Sequence, residues 1–409
     1  MSKKTLAVIG GGAAGFFGGV NAARLHPDLN VTIFERGRDV LSKVRISGGG
    51  RCNVTHHCFN PEALSQAYPR GSRELRWAFE QFQAQDTVGW FEERGIALKT
   101  ESDGRMFPTT DDSATIINCL KSEAHNHHVD IRTQTAVQAV KPVENGPYTI
   151  HLPRNQSIKA DAVLIATGGS NRNSRYDWLR ELGHAIEKPI PSLFTFNFRK
   201  KIFKDLSGIS VPNASVSIEG TSFQHTGPVL ITHWGLSGPA VLKTSAWAAR
   251  YLYEQEYRFT IRVNWLYPKN EHQVRETLQS LRNTNARKQV NKQDAFALPN
   301  RLWKRFIELA DVDADRRWAE LSNHHIHQLT KQLTHAHYDI QGKTTYKDEF
   351  VTSGGIPLSE VNMGTMESNV CRNIYFAGEV LNIDGITGGY NFQSAWTTGW
   401  IAAQHLDLS

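Results

Sequence analysis

The run Gly10-Gly11-Gly12-Ala13-Ala14-Gly15, set directly behind the apolar stretch Leu6-Ala7-Val8-Ile9, constrains this chain more than any other feature. Gly10, Gly12 and Gly15 stand at the first, third and sixth positions of a dinucleotide-binding turn. The first glycine permits the tight turn, the second lets a pyrophosphate approach the backbone, and the third lets a helix pack closely on its strand. A helix opening at Ala13 and Ala14 offers unpaired N–H groups and a positive dipole end to phosphates. Val31-Thr32-Ile33-Phe34 predicts the next strand, and Glu35 lies 20 residues beyond Gly15 at its end. That is where a carboxylate meets the adenosine ribose hydroxyls. Arg36 beside it is a further cofactor-side candidate.

With 409 residues the chain exceeds one simple core, and two or three domains are expected. No window carries the roughly 18 apolar residues of a membrane span. The opening Lys3-Lys4-Thr5-Leu6 runs into a glycine turn instead of a small-residue cleavage site, so a first strand and a cytoplasmic location are expected. Lys and Arg number 46 against 40 Asp and Glu, a net charge of +6 that mildly assists anion binding. No polybasic tail or long like-charge run makes nucleic acid the expected partner. Four cysteines (Cys52, Cys58, Cys119, Cys371) are too few for a disulfide scaffold and fit a reducing compartment.

Farther along, residues 40–60 read as a glycine- and polar-rich loop, and Arg73 to Glu93 as one helix with Leu75, Phe79 and Phe82 on a face. Val129 to Ile150 predicts short alternating strands. Ala162-Val163-Leu164-Ile165-Ala166, stopped by Thr167-Gly168-Gly169, reads as a buried parallel strand ending at a ligand. After Pro189 the period falls to two, at Phe194/Phe196/Phe198, Ala214/Val216/Ile218 and Tyr257/Phe259/Ile261/Val263, which predicts half-buried antiparallel strands of a small barrel. Three helical faces follow: Val274/Leu278/Leu281, Leu302/Phe306/Leu309 and Ile326/Leu329/Leu333. The division expected is a first part of a nucleotide domain over 1–190, a barrel-like insertion over 191–270, a helical insertion over 271–345, and the returning nucleotide domain over 346–409.

The chain's end favours FAD over NAD. Tyr375-Phe376-Ala377-Gly378-Glu379 reads as a buried strand with an acidic turn set against the ribityl and pyrophosphate. Asp384, Gly385 and then Gly388-Gly389-Tyr390-Asn391-Phe392 lead into a helix through about residue 403. Such a helix start would aim its dipole at the N1/C2=O edge of an isoalloxazine.

Ser47-Gly48-Gly49-Gly50-Arg51-Cys52-Asn53-Val54-Thr55 is similar to the hallmark loop of the bacterial HI0933-like flavoproteins. Thr232-His233-Trp234-Gly235-Leu236-Ser237-Gly238-Pro239 resembles that family's mid-chain signature, and Thr352-Ser353-Gly354-Gly355-Ile356 with the segment Gly378 to Asn391 completes it. Asn382 departs from the family, whose members commonly carry an acidic residue there. The resemblance implies an α/β fold: a Rossmann-type, glutathione-reductase-like FAD domain interrupted by a β-barrel and a small helical domain. It also implies flavin chemistry of the kind found in aminoacetone oxidases and bile-acid enone reductases. By the same analogy Val137 holds the adenine through its backbone.

The expected cofactor contacts are therefore Gly10, Gly12, Ala13, Ala14, Gly15, Glu35, Arg36, Val137, Thr167 and Gly168 on the adenosine-pyrophosphate side. Ser47, Gly49, Arg51, Cys52, Gly378, Glu379, Asp384, Gly389, Tyr390, Asn391 and Phe392 are expected on the riboflavin side. Arg51 offers planar donors to phosphate or flavin, against the plainer reading of a solvated arginine. His233, in a glycine-punctuated loop, is the candidate proton donor, against a packing role. The histidine groups at 125–128, 324–327 and 335–337 read as solvated helix surface, and no metal is expected. The function expected is hydride transfer between flavin N5 and a small organic substrate in a cleft between FAD domain and insertion, with NADH or NADPH as a candidate transient co-substrate. Two alternatives stand beside it. One is an FAD-containing tRNA-modifying or RNA-binding protein. The other is a disulfide reductase using Cys52 and Cys58, although their spacing is one residue longer than usual and no second nucleotide motif is present.

Overall fold

The computed structural model describes residues 3–407 apart from 145, 293–295 and 345–350, so the boundary expected at 345/346 lies outside the described residues. By packing the chain forms two units, Met1–Ser192 with Lys347–Ser409, and Leu193–Tyr346.

The first unit is built on a seven-stranded sheet in the order Val361–Asn362, Glu367–Ser368, Ile374–Phe376, Ala162–Ile165, Thr5–Ile9, Asn30–Phe34, Asp130–Arg132. Its last five strands in that order are parallel neighbours, with Leu6 opposite Ala162 and Val31, and Val163 opposite Ile374. The apolar runs of these strands are buried on both faces, as a covered parallel sheet requires. The sheet thus brings residues 5–9 and 374–376 into one layer, separated by a single strand.

The helix Ala13–Leu25 is rich in glycine because another helix lies against it. A Cβ on Gly399, in the helix Tyr390–Gln404, would fall 2.7 Å from the Ala14 carbonyl oxygen, and one on Gly18 would fall 2.6 Å from Leu164 Cδ2. Helix propensity is given up for backbone contact with both strand and partner helix. Arg73 to Glu93 is two helices, Ser72–Gln81 and Ala84–Glu92. The break falls at Gln83, whose N–H donates to Asp86 in a capping box. Residues 40–60 are less irregular than their composition suggests: helical turns begin at Ser42, and helical geometry is lost at Ser47, Gly48 and Gly49.

The second unit holds a closed six-stranded barrel: Thr195–Phe198, Gly235–Ser237, Gln224–Ile231, Ser210–Ile218, Arg258–Asn264 and Ala336–Thr344. The closing strand Ala336–Thr344 falls in the stretch expected to be helical. Ala336, Tyr338 and Ile340 point inward while His337, Asp339 and Gln341 are exposed, a period-two pattern overshadowed by the helical face that ends at Leu333. The helices Glu271–Thr284, Asn300–Leu309 and Asn323–Thr334 share one apolar core with the barrel, around Phe203, Trp265, Phe306 and Tyr338. No helix among the described residues is long and apolar enough to cross a membrane.

Candidate active site

Four segments of the first unit converge on the glycine turn. Gly10 has φ +114°, and a Cβ there would meet the Ala166 carbonyl oxygen at 2.3 Å and Thr167 Cα at 3.1 Å. A Cβ on Gly15 would fall 2.0 Å from the Gly10 carbonyl oxygen, so helix and strand touch only because residue 15 lacks a side chain. Gly12 differs: it caps the helix Ala13–Leu25 without any side-chain cap, and a Cβ on it would meet nothing within 4 Å. The open space beside an uncapped helix start is the cradle that a dinucleotide pyrophosphate needs. Gly49, Gly50 and Gly168 border open space in the same way, at φ +71°, +88° and +69°.

Glu35 is half-buried, and both carboxylate oxygens already accept backbone hydrogen bonds, Oε2 from Gly11 N–H at 2.9 Å and Oε1 from Gly37 N–H at 2.6 Å. It therefore braces the glycine turn against the end of its own strand, with lone pairs left for hydroxyl donors. Thr135 N–H donates to the Glu35 carbonyl at 2.8 Å, which sets the segment leading to half-buried Val137 alongside. Arg36 is exposed. Leu41 N–H donates to the Gly11 carbonyl at 2.8 Å and so fixes where the Ser42–Gly50 segment starts.

The returning C-terminal segment meets the same helix. Gly378 has φ +75°, its added Cβ would lie 2.7 Å from Ala14 Cβ, and its N–H donates to Thr398 Oγ1 at 2.9 Å. Glu379 pairs with Lys43 at 2.7 Å and accepts from Thr352 N–H at 2.8 Å. Gly389, at φ +96°, caps the helix Tyr390–Gln404 without a side-chain cap, and its added Cβ would lie 2.5 Å from the Thr55 carbonyl oxygen. Asn53, with its amide donating to the Thr55 carbonyl, accepts from Gly389 N–H at 3.0 Å. The Ser47–Thr55 tract and the C-terminal helix start are thereby one structure. Asn391 closes the loop before it, accepting from Gly385 N–H and donating to the Gly385 carbonyl, each at 2.9 Å. The Tyr390 ring stacks on His56 at 4.6 Å, and burial pushes its phenol upward. Phe392 stacks on Trp396.

Several expected site residues are occupied elsewhere. Arg51 pairs with Glu101 at 2.6 Å and lies 4.0 Å above the Phe107 ring, so its guanidinium is not free. Asp384 is fully buried between Arg70 and Ser192. Burial pushes its carboxyl above the usual range, and Arg70 and Ser192 oppose that shift. Ser47 Oγ donates to the Val44 carbonyl at 2.9 Å. Cys52 is buried at φ +62°, and burial pushes its thiol up to about 12. A thiol held protonated at neutral pH is a poor nucleophile, which weighs against a redox role with Cys58. His233 lies in the second unit, exposed on the turn between Gln224–Ile231 and Gly235–Ser237.

Sequence reasoning missed Lys43, Arg70 and Asn53 as partners of Glu379, Asp384 and Gly389. Asn53 was readable as part of a quoted tract. Lys43 and Arg70 are 336 and 314 residues from their partners, and nothing local marks them.

Residues 4–405 match the family of the HI0933-like protein Rossmann domain. The chain is 28% identical over 407 residues to a 3-dehydro-bile acid delta(4,6)-reductase of Clostridium scindens, covering 98% of each. It is 30% identical over 416 residues to a ribosomal RNA dihydrouridine synthase of Escherichia coli, covering 99% of this chain and 98% of the relative. Among solved structures, 3-ketosteroid-delta4-(5alpha)-dehydrogenase from Rhodococcus jostii RHA1 has the same fold, with a TM-score of 0.52 at 12% identity over 98% of both chains. With a family match running from residue 4 to residue 405, the chain belongs to the HI0933-like family and is an FAD-dependent oxidoreductase.

Proposed function

We propose that the chain reduces a carbon–carbon double bond conjugated to a carbonyl. The observation that carries this reading is chemical. A 3-oxo steroid with Δ4,6 unsaturation and a uridine ring have little in common as molecules, yet each presents a C=C beside a C=O. Two relatives aligned over nearly all of this chain are named for saturating those bonds. Hydride arrives at the β-carbon, the carbonyl oxygen takes up the negative charge, and a proton completes the α-carbon.

FAD, when bound, supplies the hydride chemistry. Gly12 and the start of the helix Ala13–Leu25 hold its pyrophosphate, assisted by Ala14, Gly15, Thr167 and Gly168. Glu35, Arg36 and the segment through Val137 take the adenosine. The glycine tract from Ser47 to Cys52 and the segments around Gly378, Glu379 and Gly389 to Phe392 line the riboflavin side. The uncapped helix start at Gly389 favours negative charge placed before it. Arg51 and Asp384 serve by bracing, through Glu101 and Arg70, instead of touching the cofactor. His233 is the proposed donor of the final proton, and NADH or NADPH the reductant.

The test is anaerobic. FAD-loaded protein reduced with NADH or NADPH is mixed with a 3-oxo-Δ4 steroid or with uridine-containing RNA, and return of the oxidised flavin band is followed alongside product mass. Gain of two hydrogens at the C=C is expected. A flavin reoxidised by oxygen but by neither compound removes the proposal. Replacing His233 by Ala should slow product formation while leaving flavin reduction alone.

A further inference from the structure

We infer that one face of the barrel unit, formed by Arg199, Lys200, Lys201, Lys204 and Trp234, binds single-stranded RNA. The indole stacks on a base and the cations hold the phosphates. This rests on the reading above in one respect: it makes a base within RNA the bearer of the reduced double bond.

The sequence Phe198-Arg199-Lys200-Lys201-Ile202-Phe203-Lys204-Asp205 places four cations against one carboxylate. Phe203 is buried against Phe198, Trp265 and Tyr338, which anchors the loop in the barrel core and leaves the four cations outside. Among the described residues none of the four is paired with a carboxylate. Arg301 donates to the Asp205 carbonyl and Arg305 to those of Ile202 and Lys204. Helix Asn300–Leu309 therefore fixes the loop through its backbone and adds the Arg301 guanidinium beneath it, while that of Arg305 is also paired with Glu308 at 2.9 Å.

Trp234 is 61% exposed, although a tryptophan is among the side chains that gain most from burial. Its place is rigid: Phe198 N–H donates to the Trp234 carbonyl at 2.9 Å, and Gly235 next to it passes so close to Phe196 that a Cβ would fall 1.9 Å from that carbonyl oxygen. Lys201 Nζ lies 5.6 Å from the indole centroid. An exposed indole on a tied backbone, with Lys201 beside it and three further exposed cations on the same loop, offers what stacks unpaired bases and tracks their phosphates. An anionic lipid surface would also attract the charge. Insertion would however need several apolar side chains, and beside the one exposed Trp234 this loop turns Phe203 inward and half-buries Ile202.

The experiment uses the FAD-loaded full chain and fluorescently labelled oligouridylate, read by anisotropy across a salt series. Submicromolar-to-micromolar binding that weakens with salt is expected. Trp234→Ala should weaken it roughly five- to hundredfold, the range for loss of one stacked base. Lys200→Glu with Lys201→Glu should flatten the salt slope by about 1.4, at ~0.7 per lost phosphate contact. Both variants should keep the flavin spectrum and the rate with a 3-oxo steroid. Wild-type affinity in Trp234→Ala, absence of binding at low salt, or tighter binding to phosphatidylglycerol vesicles than to RNA each overturns the proposal. Binding is read without turnover. RNA that binds as described to a protein whose flavin no conjugated bond reoxidises breaks the redox reading and leaves the surface standing, whereas steroid reduction without RNA binding does the reverse.

Discussion

Both units of this chain hold aromatic clusters, Phe17 with Trp90 and Trp396 in the first and Phe203 with Trp265 and Tyr338 in the second, but they differ in how far backbone packs on backbone. In the first, backbone touches backbone: Gly10 meets Ala166, Gly15 meets Gly10, and Gly399 meets Ala14, each at a distance no side chain would permit. In the second, aromatic rings fill the core shared by barrel and helices, with Phe203 and Trp265 in contact with each other and each against Phe306 and Tyr338. Glycine is critical there mainly where strands close, at Gly235 and at Gly238, which has φ +93° and a Pro228 carbonyl 2.7 Å from an added Cβ. A surface that must receive a cofactor's phosphates has to expose amides, and exposing amides means removing side chains. A barrel with no such duty can use bulk instead.

That contrast is breakable by substitution. Gly15→Val should have the largest effect, since its Cβ has no room beside the Gly10 carbonyl and overpacking that cannot relax costs about 3 kcal/mol or more. Loss of soluble, yellow protein is expected, while Gly235→Val should lower thermal stability and keep the flavin. If both variants retain FAD equally, the two units do not differ as argued. Arg70→Ala comes next. It strands the buried Asp384 carboxylate, which typically costs ~3–5 kcal/mol. Denaturant unfolding should register the loss, and adding Asp384→Asn should recover part of it.

Glu35→Ala is expected to cost on the order of 1.5–3 kcal/mol in FAD binding, roughly ten- to over hundredfold in affinity. Because Glu35 braces Gly11 and Gly37 as well, Glu35→Gln should lose less, keeping one acceptor oxygen. Equal losses in a flavin titration would assign the effect to charge alone. The smallest effect concerns Cys52, whose buried thiol stands at about 12 and so stays protonated at pH 8. Iodoacetamide labelling followed by peptide mass analysis should leave Cys52 unmodified until the protein unfolds. Rapid native labelling would mean that the glycine tract opens readily.

The glycine turn, Glu35 and the buried strands were legible because each is a local pattern: a spacing, a run, a period. The bracing partners were not. Arg51 looks like a phosphate ligand by residue type, and only the fold brings Glu101 beside it. Asp384 looks like a flavin contact until Arg70 and Ser192 enclose it. The closing barrel strand was hidden because its alternation begins at Ala336, directly after a helical face that ends at Leu333. The basic run at 199–204 was short enough to pass as an ordinary solvated turn. It gains meaning only beside Trp234, some thirty positions later.

Local pattern was enough to place side-chain-free backbone at Gly10 to Gly15, at Gly48 to Gly50 and at Gly388-Gly389, because glycine is the residue that tolerates both the conformations and the close approach there. Tertiary structure alone decided which charged groups remain free to meet a ligand. A side chain's availability depends on what lies within a few ångströms of it, and the partners of Arg51, Glu379 and Asp384 stand 50, 336 and 314 residues away along the chain.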